Sequence, residues 1–294
     1  MERSTMSSDL ASLYSAEYYA SHCGVPYTWD NPWWPEFFGR IADALVAHVA
    51  PRSALDAGCA LGFLVSALRE RGVDAYGVDI SEFAIGQVPP DVRPFCRVGA
   101  LMEPFDRKYD AIVCIEVLEH LRPVEADPAI ENLCGHADAV LFSSTPTDVT
   151  NPTHLNVQPP SYWATLFAGQ GFFRDTTFDA GVVAPHACLF VRRSLAAAEL
   201  AAAYEQIYVE ARLREAGLQQ RVRTLEESAA ADAAVAAAER ERVQQRPSRR
   251  LYLALIALRA RLAPPGTLRD RALRHARTAI RTATARREKN TPVA

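Results

Sequence analysis

The chain has 294 residues, 49% hydrophobic and 9% aromatic, enough to bury one full α/β domain with a further segment left over. Its net charge of -3 conceals a split: from Arg246 onward the sequence carries +11, leaving -14 for the body, so the tail is the part suited to an anionic surface. No run approaches about 18 apolar residues, the N-terminus lacks a basic stretch followed by an apolar one, and the cysteines form no C-x-x-C pair, which argues against a membrane-spanning or exported, disulfide-stapled chain and for a reduced cytoplasmic one.

Residues 1–50 read as an aromatic-rich entry segment, with Tyr14, Tyr18, Tyr19, Tyr27, Trp29, Trp33 and Trp34 ahead of a helix whose Phe37, Ile41, Leu45 and Val49 share one face. The helix is expected to pack on a sheet. For Tyr14, Tyr18 and Tyr19, packing and a lid over a ligand are both open.

From Leu55 to Ile80 the chain reads LDAGCALGFLVSALRERGVDAYGVDI. A short apolar strand ends at Gly58 and Gly62, where the backbone can turn and a ligand can approach closely. Phe63, Leu64, Ala67 and Leu68 then recur at helical spacing up to Gly72, and Tyr76, Val78 and Ile80 alternate as a second strand around Asp79. An acid at that strand end commonly holds a ribose. The spacing G-C-A-L-G differs from the dinucleotide pattern G-x-G-x-x-G. It resembles motif I of the class I S-adenosylmethionine (SAM) dependent methyltransferases, L-D-x-G-C-G-x-G, with Ala60 in place of the middle glycine. The resemblance implies a Rossmann-like, seven-stranded α/β sheet with helices on both faces. It also implies a cofactor site in which Asp56, Gly58, Cys59 and Gly62 line the methionine end, Asp79 and Ile80 lie at the ribose, and Ala100 and Leu101 neighbour the adenine.

Ser81 starts a short helix ended by Val88-Pro89-Pro90, and a third strand follows near Phe95 to Val98. Tyr109 to Val117, YDAIVCIEV, is the longest apolar run and reads as a buried central strand, resembling motif II. Asp138 to Ser144 reads as a fifth strand, Ser161 to Gly171 as a helix, and Phe173 to Phe178 and Ala187 to Arg192 as the last two strands. The core is thus expected over 51–194.

The sharpest chemical pattern is Glu116-Val-Leu-Glu119-His120. If the chain turns helical at the strand end, positions i, i+3 and i+4 bring two carboxylates and an imidazole to one side, a donor set for a divalent cation. E-x-x-E-H is similar to a metal-binding motif of ubiquinone-biosynthesis O-methyltransferases and small-RNA 2'-O-methyltransferases, the latter using a further downstream histidine. His154 is the candidate for that role here. The resemblance implies Mg2+ or Zn2+ on Glu116, Glu119, His120 and His154, with Glu116 also beside the cofactor. Glu119, His120 and His154 would then carry the chemistry of a hydroxyl acceptor. The competing reading has EVLEH capping the strand, with His154 as a lone general base and Asp148 as its substitute. His22, His48, His136, His186 and His275 lack such context.

Beyond Ser194, Tyr204, Tyr208, Ala211, Leu218, Val222, Leu225 and Ala229 follow a heptad-like register over 195–245, as a coiled coil that joins copies of the chain or as a solvated single helix. In 246–294, Leu251, Leu255, Leu258 and Leu262 among arginines, and a basic helix over Leu268 to Arg287, suit an anionic membrane surface at the inner face or a partner protein; nucleic acid is not expected. The functional expectation is SAM-dependent O-methylation of a sugar or saccharide hydroxyl in envelope glycan synthesis. A quinone or other lipid-soluble phenol is the alternative acceptor, and a scaffold that has lost turnover through Ala60 and Ala100 is the contrasting class.

Overall fold

The computed structural model describes residues 13–21, 24–245, 247–269, 271, 272, 274, 275 and 277; His22, Cys23 and most of the helix expected over Leu268 to Arg287 lie outside them. The chain divides into two compact units, Met1–Leu195 and Ala196–Ala294.

In the first unit, β1 (Ser53–Ala57), β2 (Asp74–Asp79), β3 (Cys96–Val98), β4 (Ala111–Ile115), β5 (Ala139–Ser143), β6 (Phe172–Arg174) and β7 (Cys188–Arg192) form one sheet in the order β3-β2-β1-β4-β5-β7-β6. The first five strands pair parallel, and β7 runs antiparallel to both β5 and β6. Helices α1 (Ala16–Ser21), α2 (Trp33–Val49), α3 (Phe63–Glu70), α4 (Glu82–Gln87), α5 (Pro123–His136) and α6 (Pro160–Gly169) surround it. This is the doubly wound, Rossmann-like architecture. Its strand order reverses between β1 and β4, so the crevice for a ligand opens at their carboxyl ends.

Alternation along the strands divides the core. Val113 and Leu141 face one apolar cluster with Ile41, Leu45, Leu64 and Leu68, whereas Ile112, Cys114, Val140 and Phe142 face the other with Ile130, Leu133, Trp163 and Phe167. Helix α2 buries Trp34, Phe38, Ile41, Ala42 and Leu45 in one stripe. Burying each large side chain contributes roughly 1.5–3 kcal/mol, far above the few tenths expected of its exposed Arg40–Glu36 pair.

Two sequence expectations change, and one helix appears that the sequence did not mark. The strand expected to reach Phe178 stops at Arg174, because Asp175 Oδ1 accepts hydrogen bonds from the Thr177 amide (3.0 Å) and hydroxyl (2.7 Å) and turns the chain. The segment after EVLEH forms α5 despite Pro128 within it; Pro123 opens the helix and Glu125 accepts from the Arg122 amide at 2.9 Å. EVLEH itself makes a 3-10 turn at Leu118–His120, so the expected α-helical i, i+3, i+4 face does not form.

The second unit contains α7 (Ala197–Gln245) and α8 (Pro247–Leu262). Helix α7 is 49 residues long, about 74 Å at 1.5 Å per residue. Its heptad positions Tyr204, Tyr208, Leu218, Val222 and Leu225 are all exposed. Among the described residues no helix is long and apolar enough to cross a membrane.

Candidate active site

A cavity of about 660 Å³ lies at the switch point, over the carboxyl ends of β1, β2 and β4. Its floor is the turn after β1. Gly58 has φ 95°, and its amide donates to the Val78 carbonyl at 2.8 Å. A Cβ here would stand 2.3 Å from Val117 Cγ2, so only glycine lets this turn sit against the loop after β4. Ala60 adopts φ 45°, a left-handed backbone that costs a non-glycine residue about 1–2 kcal/mol. What holds it there is Asp79, whose Oδ2 accepts from the Ala60 amide at 2.8 Å while its Oδ1 accepts from the Ser81 amide at 2.8 Å.

A carboxylate offers about four lone-pair sites, so those two bonds leave two for ligand donors, such as a pair of ribose hydroxyls. Burial raises Asp79 above the ordinary aspartate range, opposed by the Ser81 and Ala60 amides. Neighbouring Asp56 is pushed further, to about 8, by burial and then by the charge of Asp79. Asp56 therefore keeps its proton at neutral pH.

Asp56, Gly58, Cys59, Asp79, Ile80, Ala100, Leu101 and Glu116, the candidates for cofactor binding, all line the cavity. Gly62 does not: at φ 78° it caps the start of α3 and faces Val88 and Cys96, so its role is to turn the chain. The Cys59 thiol packs against Gly77 of β2, which leaves its backbone for the cavity.

The opposite wall is built on the 3-10 turn. The Glu119 carbonyl accepts from the amides of Leu155 and Asn156, both at 2.8 Å, pinning the 145–158 loop and bringing His154 beside His120 with ring centroids 4.7 Å apart. His120 Nδ1 donates to the Thr153 carbonyl (3.1 Å), and His154 Nδ1 to the Asp148 carbonyl (2.7 Å), which leaves each Nε2 as an acceptor, of the Tyr18 hydroxyl at 3.5 Å on His120 and of the Asn151 side-chain amide at 3.2 Å on His154. Burial and then the neighbouring His154 lower His120 to about 4, which keeps it neutral. Glu119 is fully buried and its Oε2 has no hydrogen-bond partner; burial and then the charge of Glu116 raise it well above the ordinary glutamate range.

One donor atom from each of Glu119, His120 and His154 lies within 4.8 Å of the others. Two imidazole nitrogens and an unpartnered buried carboxylate oxygen fit a divalent cation, and nitrogen donors suit Zn2+ or Mn2+ better than Mg2+. Glu116, expected as a fourth ligand, is absent from this group. Its φ of 52° and the 3-10 turn swing it away, and its Oε1 meets His186 Nε2 at 2.9 Å. Burial alone would raise Glu116, but the Ser143 hydroxyl and His186 outweigh it and hold it below the ordinary range. His186 also lines the cavity, and no local pattern in the sequence marked it. His48 pairs instead with Asp175 at 3.1 Å. Asp148 is held low by Thr150, which makes it a poor general base.

A switch-point crevice with Asp79 among its lining and Glu119, His120 and His154 clustered beside it is a place where this fold class takes a nucleotide ligand. The methyltransferase domain family matches residues 34–202, and the chain belongs to it. The methyl donor of the class is SAM.

Among curated relatives, the chain is 31% identical over 105 residues to the ubiquinone biosynthesis O-methyltransferase of Methylococcus capsulatus, covering 33% of this chain and 44% of that one. It is 32% identical over 96 residues to the magnesium-protoporphyrin O-methyltransferase of Synechocystis sp., covering 30% and 42%. The chain thus spans less than half the length of each of these two relatives. Among solved structures, the magnesium protoporphyrin IX methyltransferase of Synechocystis PCC 6803 with bound SAM has a TM-score of 0.45 at 19% identity, covering 63% of this chain and 97% of that one.

Proposed function

We propose that the protein is a SAM-dependent O-methyltransferase whose acceptor hydroxyl rests against Glu119, His120 and His154. The observation that carries this reading is the placement of that cluster and of Asp79 on the walls of one cavity. Bound SAM would supply a methyl group on a sulfonium, which needs in-line approach rather than a nucleophilic side chain. Asp79 binds the sugar of the cofactor with its two remaining lone-pair sites, and the Gly58 turn admits the chain of the methionine end. With no cation bound, His154, oriented through Nδ1, takes up the proton of the acceptor hydroxyl at Nε2; with a cation on that nitrogen, the acidified hydroxyl would give its proton to water. Glu119, His120 and His154 would hold a divalent cation, which would supply Lewis acidity to acidify the hydroxyl.

For the acceptor we favour a phenol of low polarity over the saccharide indicated by sequence. Tyr14, Tyr18, Trp33 and Phe37 make the entrance aromatic, and two relatives with O-methyltransferase names act, by those names, in ubiquinone synthesis and on magnesium-protoporphyrin. Polar Thr145, Asp148 and Asn151 on the same cavity favour the saccharide as a second reading. Incubating the full chain with SAM and matched catechol and sugar panels, with product read by mass spectrometry, should give a methylated catechol whose yield falls on chelation. Products from sugars alone would establish the second reading. No product together with no SAM binding would overturn both.

We further propose that the C-terminal segment lies on an anionic lipid surface. Leu251, Tyr252, Leu253, Leu255, Ile256 and Leu258 of α8 are each about half or more exposed, and the segment from Arg246 carries +11. The full chain should float with anionic phospholipid vesicles, less so at high salt, and a chain ending at Gln245 should not. Equal flotation of both would remove the proposal.

A further inference from the structure

Glu119, His120 and His154 offer three ligands, the usual number at a catalytic zinc centre, and two further side chains meet the imidazole nitrogens of that group. One is Asn151, whose Nδ2 donates to His154 Nε2 at 3.2 Å while its Oδ1 accepts from the Thr153 amide at 3.1 Å and hydroxyl at 2.8 Å. An amide NH2 only donates, so a cation on His154 Nε2 displaces it.

The other is Tyr18. It stands on α1, partly buried, with its ring edge-on to Tyr14 at 5.0 Å and to Tyr19 at 5.3 Å, and it lines the same cavity as the cluster. Its hydroxyl oxygen is 3.5 Å from His120 Nε2. Hydroxyl hydrogen bonds settle near about 2.8 Å, so this contact is about 0.7 Å longer than a good one. It matches a different separation: two atoms that are each about 2.0–2.1 Å from one tetrahedral ion lie about 3.4 Å apart. A phenol oxygen, unlike an amide nitrogen, has lone pairs for a metal. Resting on the cation reading above, we propose that Tyr18 is the fourth protein ligand of that cation, in place of Glu116, which His186 engages at 2.9 Å. The acceptor hydroxyl then enters as a fifth ligand beside the Tyr18 oxygen.

Calorimetric titration of the full chain with Zn2+ needs neither SAM nor acceptor. Tyr18→Phe keeps the ring and removes the oxygen, and should weaken Zn2+ at least about tenfold. An unchanged affinity would overturn the proposal. A second readout uses the unmutated protein: crystals grown with Zn2+ should show the ion about 2.0–2.2 Å from the Tyr18 oxygen. An ion held by Glu119, His120 and His154 with that oxygen more than about 3 Å away would overturn the proposal whatever the variant does. Glu119→Gln tells the two readings apart. Loss of Zn2+ on that change but not on Tyr18→Phe would keep the cation site and remove only the tyrosine, whereas no Zn2+ binding by the unmutated chain would overturn the cation reading and the inference with it.

Discussion

Asp79→Asn is expected to weaken SAM binding by about 100-fold, the largest loss of affinity from any single change on the cofactor side of the cavity. The size follows from how the carboxylate is used. Two of its lone-pair sites fasten the Ala60 and Ser81 amides at 2.8 Å each, and the other two would serve a ligand in the cavity that Asp79 lines. An amide has one oxygen and one NH2, so one of the two backbone N–H donors meets another donor whichever way it turns. Because the Ala60 backbone is held in a left-handed conformation by this bond, the variant also loosens the turn beneath the methionine end. Acid should mimic the variant. Burial raises Asp79, so protonation begins at a higher pH than for a free aspartate, and SAM affinity should decline as pH falls through that raised value. Titration calorimetry of both proteins between neutral and acid pH checks this; wild-type affinity unchanged on acidification, or an Asn variant that binds normally, would remove Asp79 from the site.

The second large effect is on the opposite wall. Glu119→Gln should abolish tight Zn2+ or Mn2+ binding, with at least about a 100-fold loss, while lowering the melting temperature of the cation-free protein little or not at all. The asymmetry comes from burial. Burial and then the charge of Glu116 raise Glu119 well above the ordinary glutamate range, so the neutral acid is favoured when no cation is bound, and glutamine matches that form in charge and shape. A carboxyl kept only to cap the strand would give the reverse result, a lower melting temperature and no change in cation content. Metal analysis after dialysis, paired with thermal melts, separates the two.

Much of the sheet was legible because its signals are local. Gly58, Gly62 and the alternation up to Asp79 lie within one strand-turn-helix-strand unit, and the apolar run from Ala111 to Ile115 is buried as its composition requires. His154 was legible as the only downstream imidazole beside a polar turn. What brings it to His120 was not, since the Glu119 carbonyl binding two amides is a backbone event with no side-chain signature. Glu116 was misplaced for a related reason: the expectation assumed an α-helix after β4, whereas its positive φ sends its carboxylate to His186, 70 residues away in sequence. Helix α5 was hidden by Pro128 and by weak apolar periodicity. Tyr18 was visible as an aromatic, but only the fold reveals that its hydroxyl stands beside His120 Nε2.

Ser81 connects these observations. Its amide binds Asp79, while its hydroxyl donates to the Tyr14 carbonyl and accepts from the Ala84 amide at 3.0 Å. Asp79 and Tyr14 on the cavity are thus joined through one small residue, and reciprocity applies to any two events it links. By whatever factor a ligand on Asp79 steadies the contact at Tyr14, a steadied Tyr14 would tighten that ligand by the same factor.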